Sequence, residues 1–265
     1  MPRGVRGCNF NSLQFEFATE VIVETYENRF LRSGQRTLEG RRTVGLLSSV
    51  VLLLHLALFA QEGPPQEQGP FREPELIELV SLDPTLHLDI RYATSDNLAK
   101  RPVYREARAF LQRPAAEALI RAHHSLKVKG YGLLIFDGYR PWSVTKIFWD
   151  ITPPEKHLFV ANPVEGSKHN RGCAVDLSLY DLKTSRSIEM PGTYDEMSER
   201  SYPTYQGGTA AQRAARDPLR SAMERQGFTV YPTEWWHFDY KGWNQYPILN
   251  LSFSEIKTGK SSSQK

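Results

Sequence analysis

Two short stretches, residues 167–176 and 234–237, constrain this chain most, because both must reach one point in space. The first has the sequence Ser-Lys-His-Asn-Arg-Gly-Cys-Ala-Val-Asp, and the second has the sequence Glu-Trp-Trp-His. Catalytic zinc is held by three protein ligands and keeps an open position for water. His169, Asp176 and His237 can supply those ligands, and the nearby glutamate can take a proton from the water. The pattern therefore predicts a zinc hydrolase.

Charge and cysteine content exclude other classes of partner and site. The 265 residues carry 33 basic and 30 acidic side chains. No basic run with interleaved aromatic residues occurs, so we expect no nucleic-acid partner. Cys8 and Cys173 are too few for a disulfide framework or a CxxC zinc cluster. We expect Cys173 to be a small buried residue on a strand, with a role as zinc ligand as the alternative.

An apolar, almost uncharged run at residues 43–60 follows Arg41-Arg42 and precedes a stretch rich in proline and glycine. This order is typical of a secretory signal, and we expect export to the periplasm with cleavage near Ala60. The run also approaches the length of a membrane span, so an uncleaved anchor is the main alternative. A buried core helix and a cytoplasmic location are further options. Signals normally begin a chain, whereas this run begins about forty residues in, and one explanation is a true translation start downstream of Met1.

These features divide the chain into five parts. We predict an N-terminal extension, a signal peptide or membrane anchor, a flexible linker, a catalytic domain and a disordered tail, at residues 1–40, 41–60, 61–75, 76–253 and 254–265. The membrane is expected to be contacted only through the possible anchor, and the sequence does not indicate an oligomeric state.

Hydrophobic periodicity within the catalytic domain predicts an α+β fold. Strands are expected at residues 76–80, 86–92, 131–136, 174–179, 228–231 and 235–240, and helices at residues 114–129, 143–149 and 210–226. The segment 181–209 is rich in Gly, Pro, Ser and Thr and is predicted to be a long loop. Because strands and helices are interspersed without a regular βαβ repeat, we expect a small central antiparallel sheet with packed helices, and the zinc site in a cleft at the sheet. His123 and His124 are expected at the surface of the first helix.

The spacing of the candidate site residues places further demands on the fold. Alternation puts Asp176 on the polar face of its strand. Glu234 and His237 would point to opposite faces of a regular strand, so they can converge only if Glu234 lies at a turn or bulge. Arg140 follows the end of a strand and precedes a proline. It could stabilise an oxyanion, or it could instead pair with Asp137 on the surface. Trp235 and Trp236 are expected to pack in the core and the pocket wall.

Five separate segments carry a resemblance to a known family. Their sequences are Arg-Tyr-Ala-Thr-Ser-Asp-Asn, Asp-Gly-Tyr-Arg-Pro, Ser-Lys-His-Asn-Arg-Gly-Cys-Ala-Val-Asp-Leu-Ser-Leu-Tyr, Gly-Thr-Tyr-Asp-Glu-Met and Glu-Trp-Trp-His, at residues 91–97, 137–141, 167–180, 192–197 and 234–237. In these segments and in their order, the chain resembles the D-alanyl-D-alanine dipeptidases, which are zinc D,D-peptidases. The resemblance runs from about residue 76 to residue 247. The N-terminal apolar run departs from the cytoplasmic members of the family.

The resemblance implies roles for individual residues. It implies one zinc ion per subunit, bound by His169, Asp176 and His237. It further implies that Glu234 is the general base and Arg140 the transition-state arginine. The positions expected to contact the dipeptide are Tyr92, Ser167 and Asp195, of which Tyr92 and Asp195 are expected at its ammonium end.

The function implied is zinc-dependent hydrolysis of D-Ala-D-Ala to two D-alanines. Two alternatives remain open at the level of the sequence. One is an exported zinc D,D-carboxypeptidase that trims peptidoglycan stem peptides, which would share the zinc site and the fold. The other is a zinc-binding wall module without catalysis, which would have no need for Glu234 or Arg140.

Overall fold

The computed structural model describes residues 63–257, which form the predicted α+β fold. The strands are β1 (Leu76–Glu78), β2 (His87–Leu88), β3 (Phe110–Gln112), β4 (Tyr131–Asp137), β5 (Ala174–Asp181), β6 (Phe228–Tyr231) and β7 (Glu234–Tyr240). The α-helices are α1 (Leu79–Leu82), α2 (Arg113–Lys127), α3 (Trp142–Ile151) and α4 (Ala210–Arg225).

A five-stranded sheet in the order β2-β4-β5-β7-β6 forms the centre of the fold. The pairs β4–β5, β5–β7 and β6–β7 are antiparallel, which confirms the predicted sheet for four of its strands. At the other edge β2 pairs with β4 in parallel. A separate antiparallel pair, β1 with β3, was not predicted.

Two predicted strands are shorter than expected, because alternation marks buried side chains whatever backbone carries them. The strand predicted at 76–80 ends at Glu78 and continues as α1. In the segment predicted at 86–92 only His87–Leu88 forms a strand, and Arg91–Ala93 is a turn of 3-10 helix. Tyr92 is nevertheless buried, as the pattern indicated.

Helix α2 covers one face of the sheet and packs against α4. Its predicted apolar stripe is fully buried and consists of Ala118, Leu119, Ala122 and Leu126. The expectation of a surface position is wrong for His123, which is completely buried. Its Nδ1 accepts a hydrogen bond of 3.1 Å from the backbone N–H of Leu133, and its Nε2 lies 3.0 Å from the hydroxyl of Thr85. A buried imidazole is tolerated here because both ring nitrogens have partners.

The central strand β5 is buried on both faces, so its polar residues are as inaccessible as its apolar ones. In the sheet register Asp176 of β5 lies opposite Asp137 of β4 on one side and His237 of β7 on the other. Three polar side chains therefore form a row across three neighbouring strands. This row positions the candidate site.

The predicted extension and signal, residues 1–60, lie outside the described residues, so they stay predictions. The export prediction and the division of the chain into five parts also stay predictions. Of the helices between residues 63 and 257, none is long and apolar enough to cross a membrane.

Candidate metal centre

Three side chains from three different elements converge at the end of the β4–β5–β7 row. His169 begins a 3-10 turn (His169–Arg171), Asp176 lies on β5 and His237 lies on β7. His169 Nε2 lies 3.1 Å from His237 Nδ1 and 3.3 Å from Asp176 Oδ1, and His237 Nδ1 lies 3.1 Å from Asp176 Oδ1. The three atoms thus form a nearly equilateral triangle.

The outward-facing nitrogen of each imidazole has a partner that can only accept. His169 Nδ1 lies 2.7 Å from the carbonyl oxygen of Gly138, and His237 Nε2 lies 2.9 Å from a carboxylate oxygen of Asp239. Those nitrogens must therefore carry the protons. In neutral imidazoles this leaves a lone pair on each nitrogen of the triangle, the tautomer that metal-binding histidines adopt.

The two carboxylate oxygens of Asp176 have different surroundings: Oδ2 contacts neighbouring side chains, and Oδ1 belongs to the triangle. Oδ2 accepts a hydrogen bond of 3.1 Å from the hydroxyl of Tyr194 and lies 3.5 Å from a guanidinium nitrogen of Arg140. Oδ1 accepts no hydrogen bond of acceptable geometry from any residue in the described range, although it is buried. Burial alone would raise the pKa of Asp176, but the two imidazoles hold it well below its ordinary value.

A cluster of this kind needs a positive charge at its centre, because three electron-rich atoms face one another in a buried site. Burial opposes a charge on His237, yet Asp239 and Asp176 together raise its pKa to about 10, so the surroundings of the triangle favour a positive charge. Ligands of a tetrahedral zinc ion, at about 2.0–2.1 Å, lie roughly 3.3 Å from one another. The triangle has nearly this size, and it is the grouping of potential metal ligands found among the described residues. The donor set therefore fits zinc.

Glu234 is brought beside the triangle by an irregularity in β7. The pairing with β6 passes from Val230–Phe238 directly to Tyr231–Glu234, which is the bulge that the sequence required. As a result a carboxylate oxygen of Glu234 lies 3.6 Å from His237 Nδ1, where a regular strand would separate them. Burial raises the pKa of Glu234 to about 8, and the imidazole of His237 opposes this rise.

Arg140 is held rigidly at the same site by Asp137. The guanidinium lies 2.9 Å from Asp137 Oδ2 through both Nε and a terminal nitrogen. Asp137 in turn accepts hydrogen bonds from the hydroxyl of Tyr104 (2.8 Å) and the backbone N–H of Gly138 (2.9 Å). The sequence left open a surface pair between Arg140 and Asp137; the pair exists, but both side chains are buried. A fixed cation next to Asp176 can therefore face a developing negative charge.

Tyr92 and Asp195 contact each other in the cleft, as their expected shared role requires. The hydroxyl of Tyr92 donates a hydrogen bond of 3.0 Å to Asp195. Burial raises the pKa of Asp195 to about 7, and the charge of Asp176 adds to the rise. Asp195 also has a φ of +61°, a left-handed conformation that costs energy and tends to occur at functional positions. A cation beside this carboxylate would be attracted to it.

Ser167 and Cys173 have structural contacts. The hydroxyl of Ser167 accepts a hydrogen bond of 3.2 Å from the backbone N–H of His169, so it orders the ligand-bearing turn, and its predicted substrate contact stays a prediction. Cys173 is fully buried next to β5, and burial raises the pKa of its thiol to about 12. Trp235 and Trp236 are both buried, as predicted.

A cleft of about 630 Å³ opens over these groups and includes every predicted site residue. One wall is the 3-10 segment Pro154–Phe159, and another is the loop that carries Asp195. The predicted loop at 181–209 thus closes one side of the site. This segment contains one short 3-10 turn, Glu199–Ser201.

Four functional contacts were missed by sequence reasoning. Asp239 had a detectable signal, because a residue two positions after His237 on a strand shares its face. Asp137 was considered only as a surface partner of Arg140. Tyr194 and the carbonyl of Gly138 left no signal, since they reach the ligands through the tertiary fold.

Comparison with known proteins agrees with this chemistry. The family model of the M15 peptidases, described as D-Ala-D-Ala dipeptidase, matches residues 72–256. The D-alanyl-D-alanine dipeptidase of Escherichia coli K12 is 33% identical over 180 residues, which cover 68% of this chain and 92% of that protein. The D-alanyl-D-alanine dipeptidases of Enterococcus faecium and Enterococcus faecalis V583 are each 36% identical, over 57% and 59% of this chain and 83% and 88% of theirs. The chain therefore belongs to the M15 metallopeptidases of the D-Ala-D-Ala dipeptidase family.

Proposed function

We propose that this metallopeptidase binds one zinc ion per chain and hydrolyses the dipeptide D-Ala-D-Ala to two D-alanines. The observation that carries the proposal is the triangle of His169 Nε2, Asp176 Oδ1 and His237 Nδ1, with separations of 3.1–3.3 Å, beside the carboxylate of Glu234. Zinc bound there would lower the pKa of a bound water and polarise the scissile carbonyl.

Glu234 is the proposed carrier of the proton. It accepts a proton from the attacking water and then passes that proton to the leaving amine, which fits a general acid–base group of raised pKa. Its buried position beside His237 supports this assignment. Transfer through a single carboxylate keeps the proton count balanced: water loses one proton, and the leaving amine gains it.

Arg140 is the proposed partner of the oxyanion. Its guanidinium is already held by Asp137 before substrate arrives, so little reorganisation is needed when the carbonyl oxygen becomes negative. The rings of Tyr92 and Phe148, each 5.2 Å from the guanidinium carbon, limit its movement further.

Asp195 and Tyr92 are the proposed holders of the free ammonium group of the dipeptide. An ammonium ion would pair with the carboxylate of Asp195 and lower its pKa again. Because the buried carboxylate gains a counter-charge in this way, the site favours a substrate with a charged amino end. This preference supports a dipeptidase over an enzyme that acts on longer stems, whose corresponding nitrogen is an amide.

A substrate panel tests the proposal. We expect turnover of D-Ala-D-Ala, its loss with a chelator and its recovery with added zinc. N-acetyl-D-Ala-D-Ala, which lacks the ammonium group, should lose at least about tenfold in kcat/KM. L-Ala-L-Ala serves as the control for stereochemistry, and the alanine released from each substrate is measured by amino-acid chromatography, which detects both configurations.

Two results would contradict it. If a stem pentapeptide ending in D-Ala-D-Ala and the acetylated dipeptide are cleaved as well as the free dipeptide, the D,D-carboxypeptidase is the better assignment. If no D,D-peptide is hydrolysed, the non-catalytic zinc-binding module remains.

A further inference from the structure

The segment that leads into the folded domain contacts the turn that carries His169. A carboxylate oxygen of Glu67 pairs with the guanidinium of Arg171, and its other oxygen accepts a hydrogen bond of 2.7 Å from the backbone N–H of Ile248. Further along the segment, the N–H of Arg72 donates a hydrogen bond of 2.8 Å to the carbonyl of Gln245. Glu67 therefore joins the turn to the C-terminal segment.

Arg171 depends on this carboxylate for neutralisation. Its side chain is only 8% exposed, and it ends the 3-10 turn that His169 begins. The guanidinium donates a further hydrogen bond of 2.5 Å to the carbonyl of Tyr246 and lies 5.4 Å from the ring of Trp243. Among the described residues, Glu67 is the acidic group paired with it. A buried guanidinium left with carbonyl and ring partners alone is strongly unfavourable.

The backbone of the turn is held from other sides as well. The buried amide of Gln112 donates a hydrogen bond of 2.9 Å to the carbonyl of Arg171 and accepts one of 2.7 Å from the N–H of Glu75. The N–H of Leu249 donates a hydrogen bond of 2.9 Å to the carbonyl of Asn170. Glu67 differs from these partners, because its carboxylate contacts the turn through an ion pair with the guanidinium of Arg171.

We propose that Glu67 is a positioning residue for the metal centre, acting through Arg171 on the turn that presents His169. The inference rests on the zinc site proposed above. Glu67 precedes residues 72–256, which match the family model, so the family match does not account for this contact. The segment after the predicted cleavage site is then part of the working enzyme.

The proposal has a local consequence that differs from general destabilisation. The turn is closed by hydrogen bonds from the N–H groups of Asn170, Arg171 and Gly172 to carbonyls three residues earlier. Loss of the Glu67 carboxylate should let these amides exchange faster, while the amides of the central strands keep their protection. Groups that hydrogen-bond a metal ligand directly typically contribute about 10–100-fold to metal affinity, and because Glu67 acts through Arg171 we expect the lower end of this range.

The experiment compares Glu67→Gln and Glu67→Ala with Glu73→Gln in the full chain. Glu73 is an exposed glutamate of the same segment, so it controls for the loss of one charge. Zinc affinity is measured by competition with a chromogenic chelator, amide exchange is measured on the metal-free protein, and kcat and KM are measured with D-Ala-D-Ala.

We expect both Glu67 variants to bind zinc about tenfold more weakly. We also expect faster exchange confined to residues 168–173, with kcat reduced more than KM, while Glu73→Gln matches wild type. The proposal is overturned if zinc affinity and exchange in the turn stay within twofold of wild type, or if protection falls equally throughout β4 and β5. If wild type itself binds no zinc, the proposed function fails, and the exchange result on metal-free protein still decides whether Glu67 orders the turn.

Discussion

At the scale of single residues, the proposed function assigns metal binding and proton transfer to two residues of one short segment. Glu234 and His237 are three positions apart, and their reacting atoms are 3.6 Å apart. Their surroundings nevertheless differ. His237 is oriented by Asp239 on its far side, whereas burial without a comparable partner raises the pKa of Glu234. These surroundings support the proposed roles, in which His237 is a metal ligand and Glu234 carries the proton.

Replacing these two residues should separate the two functions. We expect Glu234→Gln to keep one zinc per chain and to lower kcat by about 10²–10⁴-fold, because the isosteric amide cannot accept the proton. We expect His237→Ala to lose both zinc and activity. Metal analysis of the dialysed proteins, together with D-Ala-D-Ala turnover, checks both. Near wild-type turnover in Glu234→Gln would remove it as the base.

At the scale of elements, the turn between His169 and β5 must be unusually tight. Gly172 follows the 3-10 turn with a φ of +66°, the left-handed region that favours glycine. A Cβ on Gly172 would lie 2.5 Å from Cδ2 of the buried Leu76 and 3.3 Å from the backbone nitrogen of Gln112. The turn therefore packs against β1 and β3 with no space for a side chain.

Gly172→Ala tests this packing, and Gly130→Ala is its matched control. Gly130 also has a positive φ, +84°, but a Cβ there would meet nothing within 4 Å. Gly130→Ala should cost only backbone strain, on the order of 1 kcal/mol. Gly172→Ala should cost roughly 1–3 kcal/mol more from overpacking, and it should weaken zinc binding. Urea denaturation of both variants measures the difference, and equal losses of stability would show that the contact with Leu76 relaxes freely.

At the scale of the whole molecule, His123 connects a helix to the sheet, and its titration makes the stability of the fold depend on pH. It joins α2 to β4 through the N–H of Leu133. Burial and then the charge of Lys127 lower the pKa of His123 to about 4, from an ordinary value of 6.5, although Asp83 opposes the shift. The unfolded chain therefore binds a proton at a higher pH than the folded chain does. The contribution of neutral His123 to the free energy of unfolding is therefore fully present above pH 6.5, and it is lost as the pH falls towards 4.

We expect the free energy of unfolding of the wild type to fall by up to about 3 kcal/mol from this group as the pH falls from 6.5 to 4. His123→Asn has a smaller side chain without a titrating group, although its amide oxygen can still accept a hydrogen bond. We expect it to be less stable at pH 7 and to show a flatter profile in that window. Urea unfolding at several pH values measures both curves. Parallel curves for the two proteins between pH 4 and 6.5 would contradict the assignment.

Much of this molecule could be predicted from local patterns. Helix α2 follows from its apolar stripe, and the long loop from its small and polar residues. The bulge at Glu234 follows from the demand that Glu234 and His237 meet. The resemblance of five segments to one family further indicated the residues now found together in the cleft. These inferences succeed because periodicity along the chain reports which side chains are buried or share a face.

The sequence therefore indicated the candidate metal ligands, the class of chemistry and the type of most elements. The three-dimensional structure was needed to show the row of Asp137, Asp176 and His237 across three strands, the tautomers of the histidines and the contact between Glu67 and the turn that carries His169. The physical reason is that strand register and side-chain partners depend on packing between segments far apart in the chain. A local sequence pattern does not indicate which distant oxygen atom accepts the hydrogen bond from an imidazole N–H.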